Sequence, residues 1–184
     1  NSLMVVDMPY NTYNNPSEAF KNCKKIMKLT KCDAVKIEGG LKKIKIIKHL
    51  IKNKIPVMGH VGILPQTTRG KFKSKGTSIK ERNQLIRDCM LIEKAGAFSI
   101  VLECVQRQLA KKISNSIKIP TIGIGSSNNC DGQILVIDDV LGLAESKMKF
   151  IKKYIDLKKI ITNAAKNFKV DVKSKKFPIK KHSY

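Results

Sequence analysis

The chain has 184 residues, 42% of them hydrophobic and 28% charged, with a formal net charge of +23. This length and balance describe one globular domain with a substantial core rather than a disordered chain. No apolar run approaches the ~20 residues needed to cross a bilayer, and Asn1-Ser2-Leu3-Met4 has neither a basic leader region nor an initiator Met, so no signal peptide is expected and the chain is expected to be a piece of something longer. Five cysteines (23, 32, 89, 104 and 130), with no CxxC pair, argue against a disulfide framework or a zinc site and for a reducing compartment. The positive charge alone would suggest a polyanionic partner. Yet only four of the 37 basic residues are arginine (69, 82, 87 and 107), the preferred group for phosphate and base recognition. The lysines are spread throughout with abundant Ile and Asn, the pattern of an AT-rich genome, so no nucleic-acid partner is expected.

Taken in order, Leu3-Met4-Val5-Val6 reads as a buried strand ending in Asp7-Met8-Pro9-Tyr10. Pro16-Ser17-Glu18 opens a helix with Ala19, Phe20, Cys23, Ile26 and Met27 on one face. Ala34 to Glu38 alternates as a second strand and stops at Gly39-Gly40. Lys36 and Glu38, two apart, point to the same side of it. They are either an ion pair on a solvated edge or part of a site. Leu41, Ile44, Ile47, Leu50 and Ile51 mark a second helix, and Pro56 to His60 a third strand running into Val61-Gly62.

A long loop, Leu64 to Thr77, has the length of a functional lid. Ser78-Ile79-Lys80-Glu81 fits a capping box for a helix that runs to Ala95, with Gly96 beyond its end. Phe98 to Glu103 is the fourth strand, Val105 to Ile113 a helix, Pro120 to Ile124 the fifth strand, and Gln133 to Ile137 the sixth. From about Glu145 the chain is lysine-rich and helical in pattern, through Phe150, Ile151, Tyr154, Ile155, Ile160 and Ile161.

Strands that are continuous apolar runs, alternating with helices, describe a parallel sheet covered on both faces. A doubly wound open sheet and a (β/α)8 barrel both fit. Two features favour the barrel. No Gly-rich nucleotide fingerprint follows the first strand, and polar residues end most strands: Asp7, Lys36 with Glu38, His60, and Glu103. Each of these also has a plainer reading. Asp7 could end a strand, Glu103 could be a surface carboxylate, and His60 could be a structural histidine.

VVDMPY (5–10), VKIEGG (35–40), PVMGHVGILPQ (56–66), IVLECV (100–105), IPTIGIG (119–125) and DGQILVIDD (131–139), with the ending FPIKKHSY (177–184), occur in register. Together they resemble the ketopantoate (3-methyl-2-oxobutanoate) hydroxymethyltransferase family, over essentially the whole chain. The resemblance implies a (β/α)8 TIM barrel of the phosphoenolpyruvate mutase/isocitrate lyase superfamily. About six of its eight strands would be present, in a single domain over 1–184 that lacks its first two β/α units and ends in helices from about 145. It implies transfer of a hydroxymethyl group from 5,10-methylenetetrahydrofolate to 3-methyl-2-oxobutanoate in pantothenate biosynthesis, with Mg²⁺.

On the family pattern Asp7 and Glu38 are metal ligands, Asp7, Lys36 and His60 contact the substrate, and Glu103 is the general base. The chemistry suits these types. A hard divalent ion takes carboxylate ligands and stabilises an enolate, a lysine adds positive charge, and a carboxylate among Val101 and Leu102 takes the C3 proton if its pKa is raised. A cytoplasmic homo-oligomer, decamer-like as in the family, is expected, with no membrane partner. Cys104 is expected to pack rather than react.

The departures are an Asp-Ser pair of the missing second strand, a shortened lid (Thr67 to Lys75), and Ser126-Ser127 where small residues including glycine are usual, with strain expected at Ser127 if that glycine has positive φ. The rival readings are another oxo-acid lyase or mutase of the superfamily, or a non-catalytic basic binding protein.

Overall fold

The structure, a computed structural model, describes residues 2–68, 73–145 and 148–184. β1 (Val5–Asp7), β2 (Ala34–Glu38), β3 (Val57–Gly62), β4 (Ser99–Glu103), β5 (Thr121–Ile124) and β6 (Gly132–Gln133) form one six-stranded sheet in chain order. Every pairing is parallel. Between the strands lie α1 (Pro16–Thr30), α2 (Ile44–Lys52), α3 (Ile79–Lys94) and α4 (Arg107–Ser116). A doubly wound sheet reverses its strand order at a switch point. No reversal occurs among the described residues, so the architecture is that of a TIM barrel with six strands present.

Local chemistry sets the helix ends. Asn15 caps α1 by accepting a hydrogen bond from the Glu18 amide, Pro16 sits in the first turn, and Lys31 closes the helix in a left-handed conformation. Ser78 caps α3 by accepting from the Glu81 amide at 3.2 Å. The capping box is only half made. The Glu81 carboxylate accepts from the amides of Gly76 (2.7 Å) and Thr77 (3.1 Å). It thus ties the incoming loop to the helix.

The strand register sorts side chains onto two faces. Val35, Ile37, Val57, Ile100 and Leu102 face the helices, and all are fully buried. Asp7 pairs with Lys36, Glu38 with His60, His60 with Val101, and Gly62 with Glu103, so Asp7, Lys36, Glu38, His60 and Glu103 share the opposite face.

Several boundaries differ from the sequence reading. Leu3 and Met4 lie before β1 and are exposed, because β1 has a neighbour only on its β2 side. Leu41 belongs to a 3₁₀ turn (Leu41–Lys43) ahead of α2. Val105 precedes α4, buried beneath a parallel bridge to Lys75. β6 ends at Gln133, and Ile137 opens the short helix α5 (Ile137–Val140) rather than closing a strand. The apolar residues Phe150 to Ile155 are not helical, and helix begins only with α6 (Leu157–Lys173), where Asp156 accepts from the Lys159 amide as cap.

Asn1–Ile134 and Leu135–Tyr184 are two compact units. The first holds the sheet and α1 to α4. In the second, Tyr154 and Leu157 donate backbone hydrogen bonds to Val140 and Leu141, both at 2.9 Å. No residue of α6 is buried. Among the described residues no helix is long and apolar enough to cross a membrane.

Candidate active site

The C-terminal ends of β1 to β4 bring Asp7, Lys36, Glu38, His60 and Glu103 together. Lys36 Nζ lies 2.6 Å from Asp7 Oδ1 and 3.0 Å from His60 Nδ1. An ammonium can only donate, so Nδ1 accepts, and the Lys36 contact assigns the imidazole proton to Nε2 in a neutral ring. His60 is 1% exposed. Its Nε2 is 3.2 Å from Glu103 Oε2, yet no hydrogen bond forms there. This buried donor stands beside the Glu103 carboxylate without a hydrogen-bond partner. Because the ring is neutral, the His60 contacts to Glu103 and to Glu38 Oε1 (3.7 Å) are not ion pairs.

The backbone around Glu103 is held by glycine at one point. Gly62 has φ of 99°, and a Cβ there would come within 2.1 Å of the Glu103 carbonyl oxygen. Ile63 donates to that same oxygen at 2.9 Å. Cys104, next in the chain, takes a left-handed φ of 51°. Burial, and then the neighbouring Glu103 carboxylate, push its thiol up to about 11. It therefore stays protonated near neutral pH and is no nucleophile.

Glu38 is buried, and Gln66 organises the ground around it. The Gln66 amide N–H donates to Glu38 Oε2 (3.2 Å), its Nε2 donates to the Met8 carbonyl (2.8 Å), and its Oε1 accepts from the Tyr13 hydroxyl (2.8 Å). One residue of the loop after β3 thus joins Glu38 to the loop between β1 and α1. Burial raises the Glu38 pKa, offset partly by the Gln66 amide and Lys36, and reinforced by the Asp7 charge. Burial and then Glu38 push Tyr13 up to about 12. Lys43 Nζ sits 4.6 Å above the Tyr13 ring.

Sequence reasoning did not single out Gln66 or Tyr13. Gln66 lies inside the PVMGHVGILPQ motif, but its partners come from another β/α loop, and no spacing rule reveals that.

In the long loop, residues 69–72 lie outside the described residues, so the shortened lid expected over Thr67 to Lys75 lies partly outside them too. Its last part is described. Lys75 Nζ is 3.7 Å from Glu81, and the Lys75 backbone bonds to Cys104 and Gln106. The strain expected at Ser127 is absent. The positive φ falls on Gly125 (62°). Ser127 is buried, with its hydroxyl accepting from the Asn129 amide at 3.2 Å. Ser126 Oγ donates to the Leu102 carbonyl (2.6 Å) and accepts from the Val105 amide (3.0 Å), tying the end of β5 to β4.

Comparison with known proteins bears on this constellation. The model of the ketopantoate hydroxymethyltransferase family matches residues 1–180. The chain belongs to that family. It is 60% identical over 183 residues to the 3-methyl-2-oxobutanoate hydroxymethyltransferase of Pelagibacter ubique, covering 100% of this chain and 71% of that one. It is 46% identical to the same enzyme of Aliarcobacter butzleri, with 100% and 70% covered. With the enzyme of Clostridioides difficile it shares 46% identity, with 100% and 68% covered.

Membership of a hydroxymethyltransferase family makes the chain a transferase of the pantothenate pathway. Within that family the question of a metal turns on the donors present. Among the described residues no group of three His, Cys, Asp or Glu side chains could hold an ion. Asp7 and Glu38 supply two carboxylates close enough for the Asp7 charge to act on Glu38. Two mutually repelling hard oxygen donors fit a divalent ion that keeps several waters, not a closed zinc-type site. Asp7 Oδ1 is held by Lys36, so using that oxygen for an ion requires Lys36 to turn away.

Proposed function

We propose that the chain transfers a hydroxymethyl group from 5,10-methylenetetrahydrofolate to 3-methyl-2-oxobutanoate through an enolate, with Mg²⁺ bound by Asp7 and Glu38. The observation that carries this reading is the line from Lys36 Nζ to His60 Nδ1 (3.0 Å) and from His60 Nε2 to Glu103 Oε2 (3.2 Å). It puts a cation, a neutral imidazole donor and a carboxylate on one face of the sheet. Glu103 takes the proton from C3 of the keto acid. Lys36 supplies positive charge where the enolate oxygen develops. The unpartnered Nε2–H of His60 is a donor poised for the substrate, and burial has already stripped it of water. Glu38, oriented by the Gln66 amide, and Asp7 would hold the ion, which when bound would add Lewis-acid stabilisation of the enolate charge.

The balance is simple. The C3–H bond and both bonds from the methylene carbon to the folate nitrogens break, that carbon bonds to C3 and to a water oxygen, and the C3 proton and one water proton end on the two nitrogens, leaving tetrahydrofolate. Assembly into a homo-oligomer goes with this reading. The exposure of Ile161, Phe168 and Val172 on α6 supports it, since such a run of apolar side chains is one that oligomers cover.

The test is a product assay by mass spectrometry with Mg²⁺, the folate donor and either 3-methyl-2-oxobutanoate or 3,3-dimethyl-2-oxobutanoate. The second keto acid has no C3 hydrogen. Turnover of the first alone, lost on chelation and restored by Mg²⁺, is expected. Equal turnover of both would rule out proton abstraction at C3.

A further inference from the structure

A concavity of about 760 Å³ lies between α3 and α4 and reaches Val105, Gly125 and Ser126 at the C-terminal ends of β4 and β5. The Glu38–His60–Glu103 cluster contributes nothing to its lining. Three cations do, Arg82, Arg107 and Lys112, and no Asp or Glu is among its described lining residues. The two guanidiniums are already fixed, and by neutral acceptors. Arg82 donates to the Gly76 carbonyl (2.8 Å) and to Gln106 Oε1 (3.0 Å), and Arg107 to Asn128 Oδ1 (3.0 Å). Among the described residues none of the three cations makes an ion pair. The charge of the two guanidiniums is positioned but not neutralised, which is how a carboxylate-binding site is prepared. The cap of α4, Gln106, gives its helix no side-chain bond, so the first-turn amides add to the same positive end.

Beside these cations and the neutral polar side chains of Asn83 and Gln108, Ile79, Ile86 and Leu109 give the cavity an apolar patch, and Ile79 is 77% exposed. Lone surface anions do not need such a patch. A ligand that joins a flat aromatic ring to carboxylates does.

We infer that this cavity binds the p-aminobenzoylglutamate end of the folate donor, with the ring against Ile79 and Leu109 and the glutamate carboxylates on Arg82, Arg107 and Lys112. The inference rests on the folate reading above and extends it, since the cavity opens at the strand ends beside the segment that follows Glu103. It also gives a role to two of the four arginines in a chain whose charge is otherwise carried by lysine.

The probes are p-aminobenzoylglutamate and p-aminobenzoyltriglutamate, titrated calorimetrically into the whole chain, with inorganic phosphate as a third arm. Saturable binding is expected, tighter for the triglutamate. It should weaken at least about tenfold in R107Q/K112Q and recover in R107K/K112R, because each charge-assisted bond lost is worth a factor of that order. Absence of binding, equal affinity in R107Q/K112Q, or phosphate binding as tightly as the aromatic probes would overturn the assignment. Failure of the folate reading is seen separately, as a wild-type chain that makes no product from 5,10-methylenetetrahydrofolate.

Discussion

The two faces of the sheet differ in almost every property although the same strands build both. Leu102 points to the helices and is fully buried, while Glu103, the next residue, points to the other side and keeps some exposure. On β2, Ile37 faces the helices while its neighbours Lys36, half-buried, and Glu38, buried, face the other side. A period of two lets one short strand serve both purposes. The helix-facing residues contribute apolar burial of about 25 cal/mol per Å², and the opposite residues hold unneutralised or desolvated polar groups that work against stability. The difference teaches that stability and chemistry are separable here one residue at a time.

The strongest way to break that separation is on the helix side. Leu102→Ala should lower unfolding free energy by about 2–5 kcal/mol, read from urea denaturation. In molecules still folded, deuterium exchange at C3 of the keto acid should persist. Loss of exchange at full folding would show that the two faces are coupled.

A smaller effect is expected at Gln66. Gln66→Leu removes the bonds to the Met8 carbonyl and the Tyr13 hydroxyl and loosens the loop whose amide holds Glu38. kcat/KM should fall about tenfold, the worth of one or two hydrogen bonds. Because the Gln66 amide lowers the Glu38 pKa, the limb of the pH profile due to Glu38 should move to higher pH. A lower rate with an unmoved limb would make Gln66 structural only.

The smallest effect concerns Glu38 itself. Burial raises its folded pKa above the unfolded value, so the protonated form favours folding, and that stabilisation is lost as pH rises through the folded pKa. Without divalent ions, Tm should therefore fall as pH rises above the ordinary carboxylate range by more in the wild type than in Glu38→Gln. Mg²⁺ should restore Tm at the higher pH in the wild type alone. An identical response of the two proteins would remove Glu38 from the metal site.

Much of this could be read in the sequence for a physical reason. Parallel strands between helices are apolar runs, and the polar residues at the ends of these runs, Asp7, Glu38, His60 and Glu103, mark the C-terminal end of the sheet, where they come together. What escaped reading depended on partners distant in the chain. Glu81 turns to the amides of Gly76 and Thr77 instead of Ser78, and Gln66 reaches Tyr13. The sequence carries β6 on to Ile137 because the exposed Ile134, Val136 and Ile137 have the composition of a strand without its burial. The apolar residues of 150–155 likewise look like part of α6. Asp156 caps that helix only afterwards.

The central claim is that Glu103, on the polar face, removes the C3 proton. Incubating Glu103→Gln with 3-methyl-2-oxobutanoate and Mg²⁺ in deuterated water, and following the C3 proton by NMR, tests it most directly. Exchange should fall by about 10²–10⁴-fold, the contribution of a positioned general base, while the unfolding free energy changes by less than about 1 kcal/mol. Undiminished exchange in the folded variant would contradict the account.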